Sequence, residues 1–236
     1  MMSDVVGRAP WLLAVDTATS WIVVAAGRPD GAALCVLDWP AKHRHGEKLL
    51  AGVEELMTLT GTSRRELAGI VVGTGPGAFT GLRVGLATAK TLAHALGLPI
   101  VGVGTGTALL EGASASRPQS ARPGATLALL LPAGPNDRVL VRPNGSPVLL
   151  PGGMEPVLES SEVVVAVDLE NRAPADALEL GIRAMEGLGA ALLRLGAARL
   201  ASGQGDDVER LVPEYVTLPR GVHDVGGDIA WSSDAK

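Results

Sequence analysis

Residues 69–103 read GIVVGTGPGAFTGLRVGLATAKTLAHALGLPIVGV, and this stretch decides the fold. The apolar runs Gly69–Gly73 and Pro99–Val103 are typical of buried strands. Between them, the apolar spacing predicts a helix from about Gly81 to Leu96. A strand, a helix and a second strand joined in this way form a parallel crossover, so the sequence predicts an α/β layer.

The residues upstream complete this layer. Three apolar runs, Trp11–Asp16, Trp21–Gly27 and Ala33–Trp39, are separated by polar turns and predict three successive strands. Apolar residues then recur every three or four positions from Glu47 to Thr60, which indicates a helix. The whole pattern predicts a mixed sheet with flanking helices.

The pattern weakens after a segment rich in Ser, Pro and Arg. We predict strands between Thr126 and Leu150 and over Ser161–Asp168, and a helix over Ala175–Leu195. The resulting boundaries are a first domain over residues 1–113, a linker over 114–124, a smaller second domain over 125–217 and a flexible acidic tail over 218–236.

Composition excludes several classes of protein. The chain of 236 residues is 47% hydrophobic, which excludes a disordered chain, and no apolar run is long enough to span a bilayer. The net charge is −5, and the sequence lacks the basic stripe that an autonomous nucleic-acid-binding protein needs. If the protein serves RNA chemistry, we therefore expect another subunit to hold the RNA. The start, Met1–Pro10, does not read as a secretory signal, and the single cysteine, Cys35, excludes a disulfide framework. We therefore expect a cytoplasmic protein.

Small residues recur every fourth position along the second predicted helix. They are Gly81, Gly85, Ala89, Ala93 and Gly97. Because four residues advance about 400° around a helix, they form a shallow groove along one side. This groove packs either on the protein's own sheet or preceding helix, or on a helix of another protein, and periodicity alone does not decide between them.

The loop Gly73–Gly81 contains four glycines before a helix N-terminus, with Arg83 in the first turn. Gly75 and Gly77 leave backbone N–H groups open to an anion, and a tight structural turn fits the same residues equally well. The loop matches neither a Walker A motif nor G-x-G-x-x-G. Thr80 is the predicted N-cap, with Phe79 and Val84 forming a hydrophobic staple.

Asp16 ends the first predicted strand. An aspartate there can hold a magnesium ion for a bound nucleotide, or it can cap the hairpin turn, and the second role is favoured because Ala18 replaces the glycine that would admit phosphates. The corresponding segment of the second half, Ala166–Arg172, also lacks that glycine. We therefore expect the isolated chain to bind nucleotide weakly or not at all.

Metal-dependent and nucleophilic catalysis lack the residues they need. His43 and His45 are two residues apart, and neither His94 nor His223 shows a spacing that would complete a metal site. Cys35 falls in a predicted strand with no base beside it. We therefore predict no catalytic residue and no metal site.

Four segments together resemble one family closely. They are LLAVDTATS, HRHGEKLLAGVEELM, residues 70–103 and GTGTALL, and the most specific string is GPGAFTGLRVGLATAKTLA. Within residues 11–110, they are similar to the TsaB (YeaZ) family, a subunit of the bacterial machinery that forms N6-threonylcarbamoyladenosine at A37 of tRNAs reading ANN codons. The resemblance implies an actin-like (ASKHA, ribonuclease-H-like) two-domain α/β fold with mixed sheets and flanking helices.

The resemblance also implies a non-catalytic role. TsaB-like proteins pair through their first two long helices with the homologous transferase TsaD, and the ATPase subunit TsaE docks on the pair. The interface positions so implied are Glu47, Leu50, Val53, Glu54, Met57, Gly81, Gly85, Ala89 and Ala93. A second set of residues would contact an anion or a nucleotide in the complex: Asp16, Gly75, Gly77, Thr80 and Arg83. The complex as a whole would supply the ATP or ADP and the metal ion. The same helices support a homodimer, tRNA is reached only through the complex, and no membrane is involved.

Two enzymatic alternatives compete with this role. An M22-type metalloprotease would need a His-x-x-x-His pair on the first helix, where this chain reads His43-Arg44-His45. An actin-like nucleotide phosphotransferase would need phosphate-binding glycines in both domains. The sequence therefore favours the scaffold subunit over either enzyme.

Overall fold

The computed structural model describes residues 9–41, 45–116 and 124–216, without the side chain of His45. Its strands are β1 (Trp11–Asp16), β2 (Trp21–Gly27), β3 (Ala33–Pro40), β4 (Leu67–Gly73), β5 (Ile100–Val103), β6 (Thr126–Pro132), β7 (Arg138–Val141), β8 (Val148–Leu150) and β9 (Glu162–Ala166). Its α-helices are α1 (His45–Thr60), α2 (Phe79–Leu96), α3 (Thr105–Ala115) and α4 (Ala175–Ala201).

The two halves of the chain repeat one sheet topology. The first sheet has the order β3-β2-β1-β4-β5, and the second has the order β8-β7-β6-β9. In each, the first three strands form an antiparallel meander and the fourth pairs in parallel with the first. The mixed sheets predicted from the sequence are confirmed, and the repeat relates the halves to one another.

Helices α3 and α4 lie between the two sheets. One core joins the inner face of the first sheet, through residues such as Ala14 and Val71, to Leu129 of β6 and Leu192 of α4. A second core fills the space between the outer face of the first sheet and helices α1 and α2. The second domain predicted over 125–217 therefore contributes α4 to both sheets instead of packing by itself.

Two glycines allow α3 and α4 to approach closely. A Cβ on Gly187 would lie 2.6 Å from the Cα of Gly112. Side chains would keep the helix backbones apart, so the glycines that weaken the helical pattern of α4 serve its packing.

Several predicted boundaries change in the structure. Helix α2 begins at Phe79, and its N-cap is Ala78, so the prediction that Thr80 caps the helix is wrong. The cause is tertiary: the N–H of Ala78 donates to the carbonyl of Ala18 and its carbonyl accepts from Leu82, which starts the helix earlier. Helix α3 was not predicted, and it extends into the predicted linker.

The chain after α4 folds back on the first sheet. The backbone N–H of Asp206 donates to the carbonyl of Ile100, and its carboxylate accepts from Gly102 and pairs with Arg199 at 2.9 Å. Further on, the N–H of Glu214 donates to the Thr74 carbonyl. Residues 202–216 thus bind beside β5, and the predicted tail over 218–236 lies outside the described residues.

Across the three described ranges, no helix has both the length and the apolar character needed to cross a membrane.

Candidate functional site

The outward side of α1 and α2 has one largely exposed apolar side chain and two that are only partly covered by the core beneath the helices. Leu50 is 51% exposed, and Met57 of α1 and Val84 of α2 are half-buried. Leu50, Glu54 and Met57 follow helical spacing along one side of α1. We call Leu50, Glu54, Met57 and Val84 the outer helix face. Glu47 is exposed near its start, and Glu54 pairs with Arg64 at 3.3 Å.

The stripe of small residues on α2 does not belong to this face. Ala89 and Ala93 are buried in the core between α2 and the first sheet, and Gly81 is also buried. A Cβ on Gly85 would collide with the hydroxyl of Thr17, which donates to the carbonyl of Gly81 at 2.7 Å. The prediction of these four residues as partner contacts is therefore wrong, because their small size brings α2 onto its own sheet.

Val53 is corrected for a similar reason. Its side chain is only 8% exposed and packs in the same core. Of the predicted interface residues, Glu47, Leu50, Glu54 and Met57 are those that reach the surface.

Asp16 sits in a fully buried hydrogen-bond network. One carboxylate oxygen accepts from the N–H of Ala18 at 2.8 Å, and the other accepts from the Thr105 hydroxyl at 2.6 Å. The same hydroxyl accepts from the N–H of Gly75 at 3.0 Å. Burial raises the pKa of Asp16 to about 6, although both hydrogen bonds oppose that rise. The turn-capping role of Asp16 is confirmed.

The glycine-rich loop is closed by the protein's own backbone. The N–H of Ala78 donates to the Ala18 carbonyl at 2.6 Å, and a Cβ on Gly77 would collide with that carbonyl. Gly75 has φ +106, a conformation that only glycine adopts without strain. With the N–H groups of Gly75 and Ala78 engaged internally, the structure favours the tight turn over an anion cradle.

Arg83 belongs to an aromatic cluster at the start of α2. Its guanidinium lies 3.8 Å from the centre of the Phe79 ring, and its Nε donates to the Tyr215 hydroxyl at 3.1 Å. Phe79 and Tyr215 are the single Phe and single Tyr of the whole chain, and their ring centres are 5.2 Å apart. Phe79 therefore links Tyr215 to the start of α2. Because Phe79 is itself the first residue of the helix, it does not have the position before the N-cap that the predicted staple requires. Thr80 is exposed beside it.

Tyr215→Ala should lower the free energy of unfolding by about 1 kcal/mol, because it removes an aromatic pair and a cation–aromatic contact at a half-exposed site. Tyr215→Phe keeps the ring and loses the hydroxyl, so it should cost about half as much. Urea denaturation of both variants measures these costs. Equal stability of the alanine variant and the wild type would contradict a stabilising role for the cluster.

The two halves of the chain also meet where the segment after β9 contacts the β1–β2 turn. Asp168, which follows β9, accepts from both the N–H and the hydroxyl of Ser20 in the β1–β2 turn, at 2.6 and 2.5 Å. Burial raises the pKa of Asp168, and the bonds from Ser20 oppose this. The carboxylate thus occupies both the N–H and the hydroxyl of Ser20 in this turn.

Within the described part of the chain, the remaining candidates form no reactive cluster. Among the residues that the structure describes, no group of three His, Cys, Asp or Glu side chains could hold a metal ion. His43 and His223 lie outside the described residues, as does the side chain of His45, and His94 is exposed. Cys35 is half-buried in β3.

Four residues that hold this region together were absent from the predicted site: Thr105, Ser20, Asp168 and Tyr215. Each acts through a partner between 89 and 148 residues away in sequence. No local motif marks such contacts, and only the sheet topology brings these residues together.

The repeated sheet topology with flanking helices defines an actin-like protein of the ASKHA, ribonuclease-H-like class. Comparisons of the sequence and of the structure with known proteins point to one group of proteins within this class. The family model described as TsaD, tRNA N6-adenosine threonylcarbamoyltransferase, matches residues 39–153, just under half of the chain. The solved structure titled YeaZ from Pseudomonas aeruginosa superposes with a TM-score of 0.67 at 25% identity, covering 88% of this chain and 100% of that one.

Curated relatives agree with this likeness. The tRNA threonylcarbamoyladenosine biosynthesis protein TsaB of Escherichia coli (strain K12) is 35% identical over 102 residues, 43% of this chain and 43% of its own length. The TsaB of Bacillus subtilis (strain 168) is 34% identical over 92 residues, 39% of this chain and 40% of its own. The match therefore spans about two fifths of the length of these relatives. Over this part of its length, the chain is similar to the TsaB (YeaZ) family.

Proposed function

We propose that the chain is a non-catalytic subunit that pairs with the transferase TsaD and supports formation of N6-threonylcarbamoyladenosine at A37 of tRNAs reading ANN codons. It would act in the cytoplasm, and tRNA would be held by the complex as a whole. The ATPase subunit TsaE would dock on the pair, and without TsaD the chain would form a homodimer through the same face.

One observation carries the proposal. The chain is similar to TsaB proteins, yet residues 39–153, which include α1 and α2, match the model of the TsaD family. Two proteins that share this helix pair can present similar surfaces to one another, as the two subunits of a symmetric dimer do. That relation supports both the heterodimer and the homodimer.

The outer helix face has the chemistry that such pairing needs. Leu50 exposes half of its side chain between acidic residues, and Met57 and Val84 extend the apolar area beside it. Interfaces of this kind combine an apolar centre with a polar rim. Glu47 and Glu54 would form that rim.

The internal hydrogen bonds of the β1–β2 turn and of the glycine-rich loop support a non-catalytic role. The Asp168 carboxylate occupies donors of the β1–β2 turn, and the Ala18 carbonyl occupies a donor of the glycine-rich loop. We therefore propose that the isolated chain binds no nucleotide and that ATP or ADP and a metal ion are held elsewhere in the complex. Calorimetry giving micromolar affinity of the isolated chain for ATP would refute this part.

Size-exclusion chromatography with light scattering tests the pairing directly. The chain and the TsaD of its own organism, mixed together, should elute as a 1:1 complex that neither sample contains alone. Leu50→Asp should weaken that complex by at least about tenfold, because it places a charge at the apolar centre. Its melting temperature should stay unchanged, since Leu50 is half-exposed in the free chain.

Leu59→Asp is the matched control. Leu59 is on the same helix and is 62% exposed, but nine residues from Leu50 it points to the opposite side of α1. This variant should pair normally. Equal loss of pairing in both variants would reject the outer helix face, and no complex with wild-type chain, with or without TsaE and ATP, would reject the proposed function.

A further inference from the structure

A separate cleft opens between the first sheet and the first half of α4. It has a volume of about 460 Å³, within the range of small-molecule sites. Its floor is apolar, formed by Leu178, Ile182 and Met185 of α4 and by the ring of Trp21. Trp21 is 37% exposed and Ile182 is 62% exposed, so a large apolar surface faces water here.

Among the residues that the structure describes, the charged side chains that line this cleft all carry the same sign. The lining residues that carry charge are Asp38, Asp168, Glu170 and Glu186. Arg183 of α4 is not among the lining residues and pairs instead with Glu179 at 2.8 Å. Four carboxylates around an apolar floor repel anions and attract a cation, and the exposed face of an indole adds to that attraction.

We propose that this cleft binds a small organic cation, an amine or guanidinium carried on an apolar body. The apolar body would lie against Trp21 and Ile182, and the cationic group would lie between Asp38 and Glu186. The combination selects against phosphate-bearing ligands, including nucleotides and RNA, because each added negative charge would face the same carboxylates.

The state of Asp168 agrees with such a ligand. Burial and the neighbouring Glu170 both raise its pKa, so its charge is stabilised only by the hydrogen bonds from Ser20. A cation in the cleft would stabilise that charge further. Because Asp168 also links the two halves of the chain, ligand binding here would strengthen the contact between them. The cleft is formed by this chain alone and is independent of the proposed function.

Nuclear magnetic resonance of the indole N–H groups provides the test. The probes are 3-phenylpropylamine and its neutral counterpart 3-phenylpropan-1-ol, and the Trp21 signal is assigned with Trp21→Phe. The amine should shift the Trp21 signal saturably, with a Kd about tenfold below that of the alcohol, because the ion pair and the cation–aromatic contact act only on the amine. The signal of the buried Trp11 should stay in place.

Two variants and a control complete the experiment. Glu186→Gln and Asp38→Asn should each raise the Kd of the amine several-fold and leave that of the alcohol unchanged. Glu55→Gln changes the net charge equally on exposed α1 and should leave both values unchanged. The proposal is overturned if the amine and the alcohol bind equally, if both cleft variants bind the amine like the wild type, or if neither probe moves the Trp21 signal.

Discussion

Replacing Ala89 with leucine should lower the free energy of unfolding by about 1–3 kcal/mol, the usual cost of overpacking a core. Ala89 is fully buried on the inner side of α2, in the same core as Leu13 of β1 and Ile70 of β4. The larger side chain has no free space there, so the helix must move away from the sheet. For a chain of this length, thermal unfolding should show a melting temperature lower by about 2–12 °C.

Ala87→Leu is the control for this prediction. It makes the same change on the same helix, two residues away on the exposed side. It should leave the melting temperature nearly unchanged, because surface substitutions are usually within about 0.5 kcal/mol of neutral. If Ala89→Leu instead kept the wild-type melting temperature and abolished pairing with TsaD, the stripe of small residues would face a partner and its packing on the sheet would be refuted.

For the stripe of small residues on α2, the sequence predicted the shared side of the helix but not the surface against which that side packs. Spacing correctly placed Gly85, Ala89 and Ala93 on one side of the helix, but a one-dimensional pattern carries no information on what lies opposite that side. The neighbour is Thr17 in the distant β1–β2 turn, whose hydroxyl lies where a side chain on Gly85 would be. Leu50 was expected at an interface only through the family resemblance, and periodicity alone grouped it with the apolar face of α1, where the structure leaves half of its side chain exposed.

The strands of the first sheet could be predicted because their signals are local in sequence. Strands β1 to β5 are continuous apolar runs separated by clear turn residues, so each was found within one or two residues of its bounds. Helix α3 was missed because it begins with TGT and contains a further glycine, Gly112, which weakens its helical pattern. Its position between two sheets provides the stability that its sequence does not.

The pH dependence of stability should reveal the buried carboxyl of Asp16. Its pKa is about 6 in the folded chain against 3.8 in the unfolded chain, so the folded state binds more protons between these values. The free energy of unfolding therefore falls as pH rises from about 4 to about 6, and the two-unit shift corresponds to about 3 kcal/mol. In Asp16→Asn this contribution disappears, because the amide does not ionise.

The measurement is urea denaturation of both proteins across pH 4 to 7. Other acids titrate alike in the two proteins, so the wild-type value minus the variant value isolates residue 16. The amide introduced by Asp16→Asn has one acceptor oxygen where the carboxylate has two, so either Ala18 or Thr105 loses its acceptor. That loss shifts the difference in the free energy of unfolding by a constant at every pH and leaves its slope against pH intact.

The difference should fall by about 3 kcal/mol between about pH 4 and 7. Parallel curves would mean that Asp16 titrates alike in the folded and unfolded chain, and that water or a cation reaches its carboxylate.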